Sequence, residues 1–302
     1  MIEKIKFMRN PVKETQELWL PKIEAALDQY TADCGSLHPE LLEAMRYSLL
    51  DAGKRIRPIL TLEFCRAAGG DPETAMPFAC AVEMLHSCSL IHDDLPCMDD
   101  DELRRGKPSC HIKFGEDIAL LAGDALQMLT FDVMLQNTTV SPDRTVKAAG
   151  VLAHAAGAAG MVGGQVIDLK NEGQQVGIEV LRQMDSGKTS AIIKAACVMG
   201  VIAAGGSDEL IAIAEEYAEN IGIAFQITDD ILDVTSDSVT LGKPVQSDIE
   251  NNKSTYVSLL GLDKARAEAA RYTALAVDAV TPLGDKGEFL VAFAKMLAGR
   301  IN

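Results

Sequence analysis

Basic residues are scarce in this chain: 28 Lys plus Arg stand against 44 Asp plus Glu in 302 residues, a formal net charge of −16. General nucleic-acid binding and docking on anionic lipid both need a basic face, so this balance argues against either. Paired cysteines are also missing. The seven cysteines (34, 65, 80, 88, 97, 110 and 197) are odd in number and form no CxxC. They read as free thiols in a reducing cytoplasm rather than as a disulfide framework or a zinc site. No apolar segment follows Lys4, Lys6 and Arg9 to make a secretory signal, and apolar runs such as 195–206 are too short to span a bilayer. The expectation is a soluble, cytoplasmic protein without stable membrane insertion. Alternating β-branched runs with hairpin turns are nearly absent, and no linker, low-complexity stretch or fixed-period repeat divides the chain.

What remains is helical. Hydrophobic residues make up 48% of the sequence, enough for a sizeable core. Segments 40–50, 74–93, 118–135, 145–157, 190–204, 208–233 and 265–281 carry apolar residues at spacings of three and four. Turns fall at Gly69-Gly70-Asp71-Pro72, Ser141-Pro142-Asp143, Gly205-Gly206-Ser207-Asp208 and Thr281-Pro282-Leu283-Gly284, several ending in a residue suited to cap the next helix. These features predict one all-α bundle, a single domain over 1–302. Gly157, Gly160 and Gly163 recur every third residue, which suits close helix packing; GxGxxG is absent there. Gly187-Lys188-Thr189 resembles the end of a P-loop, but Arg182 occupies the place of its first glycine.

Two aspartate clusters interrupt this apolar pattern. Asp93-Asp94-Leu95-Pro96-Cys97-Met98-Asp99 closes one helical segment, and Asp229-Asp230-Ile231-Leu232-Asp233 closes another. Four-residue spacing sets Asp229 and Asp233 on one helix face, with Gln226 a turn below. Asp93 and Asp99 would lie on different faces of a continuous helix. Pro96 predicts an end or kink near Leu95 that can swing Asp99 back beside Asp93. Unpaired carboxylates gathered this way suit Mg²⁺, a hard cation usually held by a few carboxylates plus substrate phosphate; a solvated acidic helix end is the bland alternative. His86 lies two turns below Asp93, where a satisfied core histidine is the ordinary reading. Cations stand close in sequence: Gly53-Lys54-Arg55-Ile56-Arg57-Pro58 in a turn, Arg104-Arg105-Gly106-Lys107, Lys188-Thr189, Lys243 and Lys253. Arg forks grip phosphate bidentately and Lys acts as a point charge, so acidic and basic motifs together point to a Mg–diphosphate site.

In their order along the chain these motifs resemble the trans-isoprenyl diphosphate synthase family. The resemblance covers about residues 40 to 260 and also includes Gly123-Asp124-Ala125-Leu126, Gly164-Gln165-x-x-Asp168, Phe225-Gln226 and Lys253-Ser254-Thr255-Tyr256. It implies an all-α bundle of isoprenoid-synthase type around a deep central cavity, usually as a homodimer. The implied activity is Mg²⁺-dependent head-to-tail condensation of isopentenyl diphosphate with an allylic diphosphate. On the same resemblance, Asp93, Asp99 and Asp229 would hold Mg²⁺, with Asp94 and Asp233 in support. Arg104, Lys188, Thr189, Gln226, Lys243 and Lys253 would grip the allylic diphosphate; Gly53, Lys54, Arg57, His86 and Arg105 would hold isopentenyl diphosphate. No covalent catalyst is expected. Ala52 stands where many members have glycine, and Gln246 where glycine is common, which leaves the role of Lys243 and its loop open.

The growing product is expected to run beneath Asp93. Cys88 and Ser89 are small where an aromatic floors the pocket in farnesyl-type members, so a C20 product is expected, with C15 the alternative. Two rivals remain in view. A class I terpene cyclase or squalene-synthase-like enzyme would have little use for Gly53–Pro58 and Arg105. A non-catalytic regulatory subunit would be expected to have lost some of these aspartates or cations.

Overall fold

The computed structural model describes residues 10–51, 53–235 and 254–299. The chain is all-α. In order, α1 is Pro11–Ala32, α2 Pro39–Leu49, α3 Ile56–Ala67, α4 Met76–Asp93, α5 Cys110–Phe114, α6 Glu116–Leu135 and α7 Pro142–Ala156. Then follow α8 Met161–Asn171, α9 Ile178–Asp185, α10 Ala191–Ala204, α11 Asp208–Thr235, α12 Tyr256–Leu260, α13 Leu262–Val280 and α14 Glu288–Gly299. Among the described residues the only strands are a two-residue pair, β1 Leu103–Arg104 and β2 Lys107–Pro108. Arg105 and Gly106 join them with positive φ (52° and 78°) at both turn positions, the backbone a tight hairpin requires.

Local chemistry sets the helix starts. Asn10 caps α1, its side chain accepting from the Lys13 N–H at 3.1 Å, and Pro11 takes the first helical position. Arg55, at φ 46°, turns the chain into α3. Apolar α3, α4 and α10 form the middle of the main core: Leu60, Phe64, Phe78, Met84, Cys197 and Met199 are buried there. Gly200 lets α10 press onto α3, since a Cβ there would run into the Thr61 carbonyl oxygen. A second, smaller core joins Leu181 of α9, Ile223, Ile227 and Ile231 of α11, Tyr256 of α12 and Ala265 of α13.

The helices reach further than periodicity indicates. Ile56–Ala67 carries no simple stripe, because α3 is buried on every side, while Pro11–Ala32 buries one face through Val12, Trp19, Ile23 and Leu27 although it contains Pro21. One expectation needs correcting. Four helical stretches, Pro72–Asp93, Glu116–Leu135, Pro142–Asn171 and Ile178–Ala204, are long and apolar enough to cross a membrane. In the first and last, most of that surface is spent on internal packing, 78% and 67% of the apolar window being buried. On α6, by contrast, Leu120, Leu121, Met128 and Leu135 face outward.

Between α9 and α10 the helix does not break but widens. Ser186–Ser190 forms a single π-turn, one residue wider than an α-turn, a feature that recurs at functional sites.

Candidate active site

α4 ends at Asp93, two residues before the expected Leu95. The chain then curls back: the Asp99 N–H donates to the Asp93 carbonyl at 2.8 Å and the Met98 N–H to Leu95 O at 2.8 Å. Pro96, which has no N–H to give, sits in this curl. Asp99 therefore returns beside Asp93. Burial pushes the Asp93 carboxyl up to about 6; Lys188 and Arg104 oppose the rise, while Asp99 and Asp94 add to it. Asp94 points into the protein, where it is 2% exposed and takes Arg104 through both Nε and a terminal nitrogen. Its burial raises its pKa despite that partner.

The π-turn brings the second half of the site. Lys188 Nζ donates to Asp168 Oδ2 of α8 at 2.6 Å. Burial opposes its charge, but Asp168 and then Asp93 and Asp99 outweigh burial and hold the ammonium above its usual range. Lys188 is thus in the field of the first aspartate cluster. The hydroxyl of the adjacent Thr189 donates to Gln226 Oε1 of α11 at 3.2 Å, one turn before Asp229 and Asp230. The π-turn therefore lies between the two clusters, with Lys188 facing one and Thr189 bonded to the helix that carries the other. Its placement depends on close packing, because a Cβ on Gly164 would collide with the backbone of Gly187 and Lys188.

Within the second cluster the aspartates differ. Asp230 is buried and accepts the N–H of Tyr256, the first residue of α12, at 2.7 Å. Asp233 is 4% exposed, and neither carboxylate oxygen has a hydrogen-bond partner among the described residues. An orphaned buried carboxylate is costly unless a cation joins it. Among the described residues no three His, Cys, Asp or Glu side chains form a ready-made metal cage. The donor set nevertheless fits Mg²⁺, which takes one or two carboxylates and fills its shell with water and phosphate oxygens.

The remaining cations gather around His86. Arg105 lies against Gly53, where a Cβ would sit 3.1 Å from its guanidinium, and donates to Asp51 O at 3.0 Å. Lys107 pairs with Asp51 at 2.5 Å. Burial lowers the Arg57 pKa, with Glu83 opposing and Arg105 adding to the fall; its Nε has no hydrogen-bond partner among the described residues. Burial also drives the His86 pKa well down, and Arg57, Arg105, Arg104 and Arg55 all reinforce it. His86 is therefore held as a neutral imidazole near four guanidiniums, of which Arg55 and Arg104 already pair with carboxylates. Lys54 is exposed at the rim.

Several partners were not evident from sequence. Arg55, 2% exposed, donates to Glu24, Glu83 and the Leu49 and Asp51 carbonyls, so it serves as a structural brace. Glu83, a charge in the middle of apolar α4, was the available signal. Cys88, 3% exposed, places Sγ 3.9 Å from His92 Nδ1, and burial pushes its thiol up to about 12. Ser89 is half-buried and donates to His86 O at 2.8 Å. Ala52, Lys243, Gln246 and Lys253 lie outside the described residues. A cavity of about 850 Å³ opens behind the π-turn, lined by α7, α8 and α10 residues such as His154, Ile167 and Ala195. None of the diphosphate-site candidates lines it.

Comparison with known proteins bears on the family and the fold. Residues 38–280 match the family model for polyprenyl synthetase. The chain is 49% identical over 267 residues to the chloroplastic heterodimeric geranylgeranyl pyrophosphate synthase large subunit 1 of Arabidopsis thaliana, covering 86% of this chain and 72% of that one. It is 44% identical to a dimethylallyltranstransferase of Fischerella ambigua, over 93% of this chain and 81% of the relative. Among solved structures, an FPP/GFPP synthase from Zymomonas mobilis superposes with a TM-score of 0.85 at 33% identity, covering 95% of this chain and 98% of that one.

Proposed function

This chain belongs to the polyprenyl synthetase family and is a short-chain trans-prenyltransferase, and we propose that it joins isopentenyl diphosphate to an allylic diphosphate to make geranylgeranyl diphosphate. The observation that carries the assignment of parts is the π-turn. It offers Lys188 and Thr189 between two acidic helix ends, while His86, Arg57 and Arg105 form a second anion pocket nearby. Two anion sites of this kind suit two diphosphate substrates. Asp93, Asp99, Asp229 and Asp233 would hold Mg²⁺, which when bound neutralises the charge of the leaving diphosphate.

The chain's own groups do the rest. Lys188 and Arg104 stand over the allylic diphosphate, and Asp94 and Asp168 hold them in place. As the allylic C–O bond breaks, the electron pair leaves with diphosphate, whose growing charge meets these fixed cations. The isopentenyl double bond attacks the allylic carbon, and the released diphosphate takes the proton whose loss restores an alkene. Low-polarity α4 surface below Asp93 excludes water from the carbocation. His86, held neutral, donates a hydrogen bond to the second diphosphate without competing for protons.

Product length, assembly and compartment are part of the same reading. Small residues at Cys88 and Ser89, and relatives named for geranylgeranyl synthesis, support C20. The outward apolar face of α6 supports a homodimer, and free thiols, all buried except Cys34 and Cys97, support a reducing cytoplasm. The test is incubation with Mg²⁺, isopentenyl diphosphate and each allylic primer in turn, followed by product chromatography. A C20 product that shortens in Cys88→Tyr is expected. No diphosphate release with any primer would instead indicate a regulatory subunit.

A further inference from the structure

A buried polar pair lies beside the site without touching either anion pocket. Asp185 closes α9, immediately before the π-turn, and is 3% exposed; Tyr256 opens α12 and is 1% exposed. Around them is the second core, with Leu181, Ile227 and Ile231. The Tyr256 hydroxyl and Asp185 Oδ2 have no partner of strict hydrogen-bond geometry. The helices that carry them pack against each other, Leu181 of one and Tyr256 of the other sharing the second core, and each buried group perturbs the other's titration. An isolated carboxyl and phenol in such a place would be stabilised by replacement with apolar groups, so their presence calls for a reason.

The connections at either end of Tyr256 supply one. Its backbone N–H donates to Asp230 of α11 at 2.7 Å, next to Asp229. Its ring packs in the core against the helix that ends at Asp185, three residues before Lys188, which Asp168 holds. A rigid aromatic side chain thus spans from the acidic turn of α11 to the turn that presents Lys188 and Thr189. We propose that Tyr256 and Asp185 are positioning residues that fix the spacing between Lys188–Thr189 and the α11 carboxylates. This rests on the reading of those groups as the allylic diphosphate grip. The pair touches no reacting atom; it acts through the groups it spaces.

The test compares the full-length protein with Tyr256→Phe, Asp185→Asn and the double variant, with folding checked by circular dichroism. Steady-state kinetics with Mg²⁺ would vary the allylic and the isopentenyl substrate separately. Tyr256→Phe removes one hydroxyl from a packed ring. It should lower kcat/KM for the allylic substrate by about 10-fold, leaving KM for isopentenyl diphosphate within about twofold, because only one grip loses its spacing. The double variant should be no worse than the more impaired single one, the signature of a shared contact. Equal losses toward both substrates, additive losses, or wild-type kinetics in Tyr256→Phe would each overturn the pairing. A wild-type protein inert with every primer would instead sink the functional reading on which the pairing stands, so the two failures are distinguishable.

Discussion

Replacing Gly164 with alanine should damage catalysis far more than stability. Gly164 sits in α8 against the π-turn. A Cβ there would meet the Gly187 carbonyl carbon and Lys188 Cα at 2.8 Å each, and would come nearer still to the Lys188 nitrogen. All three are backbone atoms, so no rotamer change relieves the clash; the turn has to retreat by roughly 1 Å. Overpacking of this size costs about 1–3 kcal/mol, while alanine in a helix interior returns about 1 kcal/mol of propensity. The net loss is small, a fall of a few degrees in Tm for a chain this long. Lys188 and Thr189 ride on the displaced turn, however, and a shift of about 1 Å in a positioning group can cost roughly 100-fold in rate. Gly150→Ala is the control: it lies in α7 with nothing within 4 Å of its Cβ position, so it should raise Tm slightly and leave turnover alone. The assay is kcat/KM for the allylic substrate with labelled isopentenyl diphosphate, alongside thermal melts. A Gly164→Ala enzyme with wild-type kcat/KM would refute the account of the turn.

Three further outcomes follow from buried charge. Arg55→Met removes the partner of buried Glu83 and of Glu24, which should cost about 3–5 kcal/mol in urea unfolding; a loss below about 1 kcal/mol would show that the brace is dispensable. Asp233→Asn deletes a buried charge with no hydrogen-bond partner among the described residues, so the protein without metal should gain about 1 kcal/mol or more. The same variant should lose much of the Tm increase that Mg²⁺ with inorganic diphosphate gives the wild type; an undiminished increase would place Asp233 outside the metal site. Asp185 is pushed up to about 7 by burial, with Tyr256 opposing and Asp168 adding, whereas an unfolded aspartate titrates near 3.9. The folded state then binds the extra proton between those values, so wild-type stability should decline from about pH 4 to pH 7, by at most a few kcal/mol. Asp185→Asn should lack that decline, and equal urea midpoints for wild type at pH 5 and pH 8 would contradict it.

What could be read without coordinates divides along physical lines. Helices that bury one face and expose the other, such as Pro142–Ala156 and Leu262–Val280, announce themselves by apolar spacing. Ile56–Ala67 does not, because burial all round leaves no polar stripe to mark its period. The acid clusters and the cations were legible because several like charges in apolar sequence need a common explanation. The pairing with their counter-ions was not: Asp51, Glu83 and Asp168 come from remote elements, and nothing in the sequence joins them to Lys107, Arg55 and Lys188. Pro96 did mark the end of α4. The return of Asp99 to Asp93, however, depends on one backbone hydrogen bond, which spacing allows but cannot specify. The widened turn at Ser186–Ser190 left no trace in composition, since adding a residue to a helical turn changes geometry without demanding a particular side chain.

That widened turn also makes the chain unusually sensitive to length. In an ordinary helix each residue advances the screw by about 100°, so an α-turn would swing either Lys188 or Thr189 away from its present neighbour. Deleting any one residue of Ser186–Ser190 would let the helix rewind to regular pitch and rotate α9 against α10. Asp185 would then leave Tyr256, and the two halves of the grip would fall out of phase without the loss of any charged group. A substitution in this stretch changes one side chain; a single missing codon changes the phase of every residue after it.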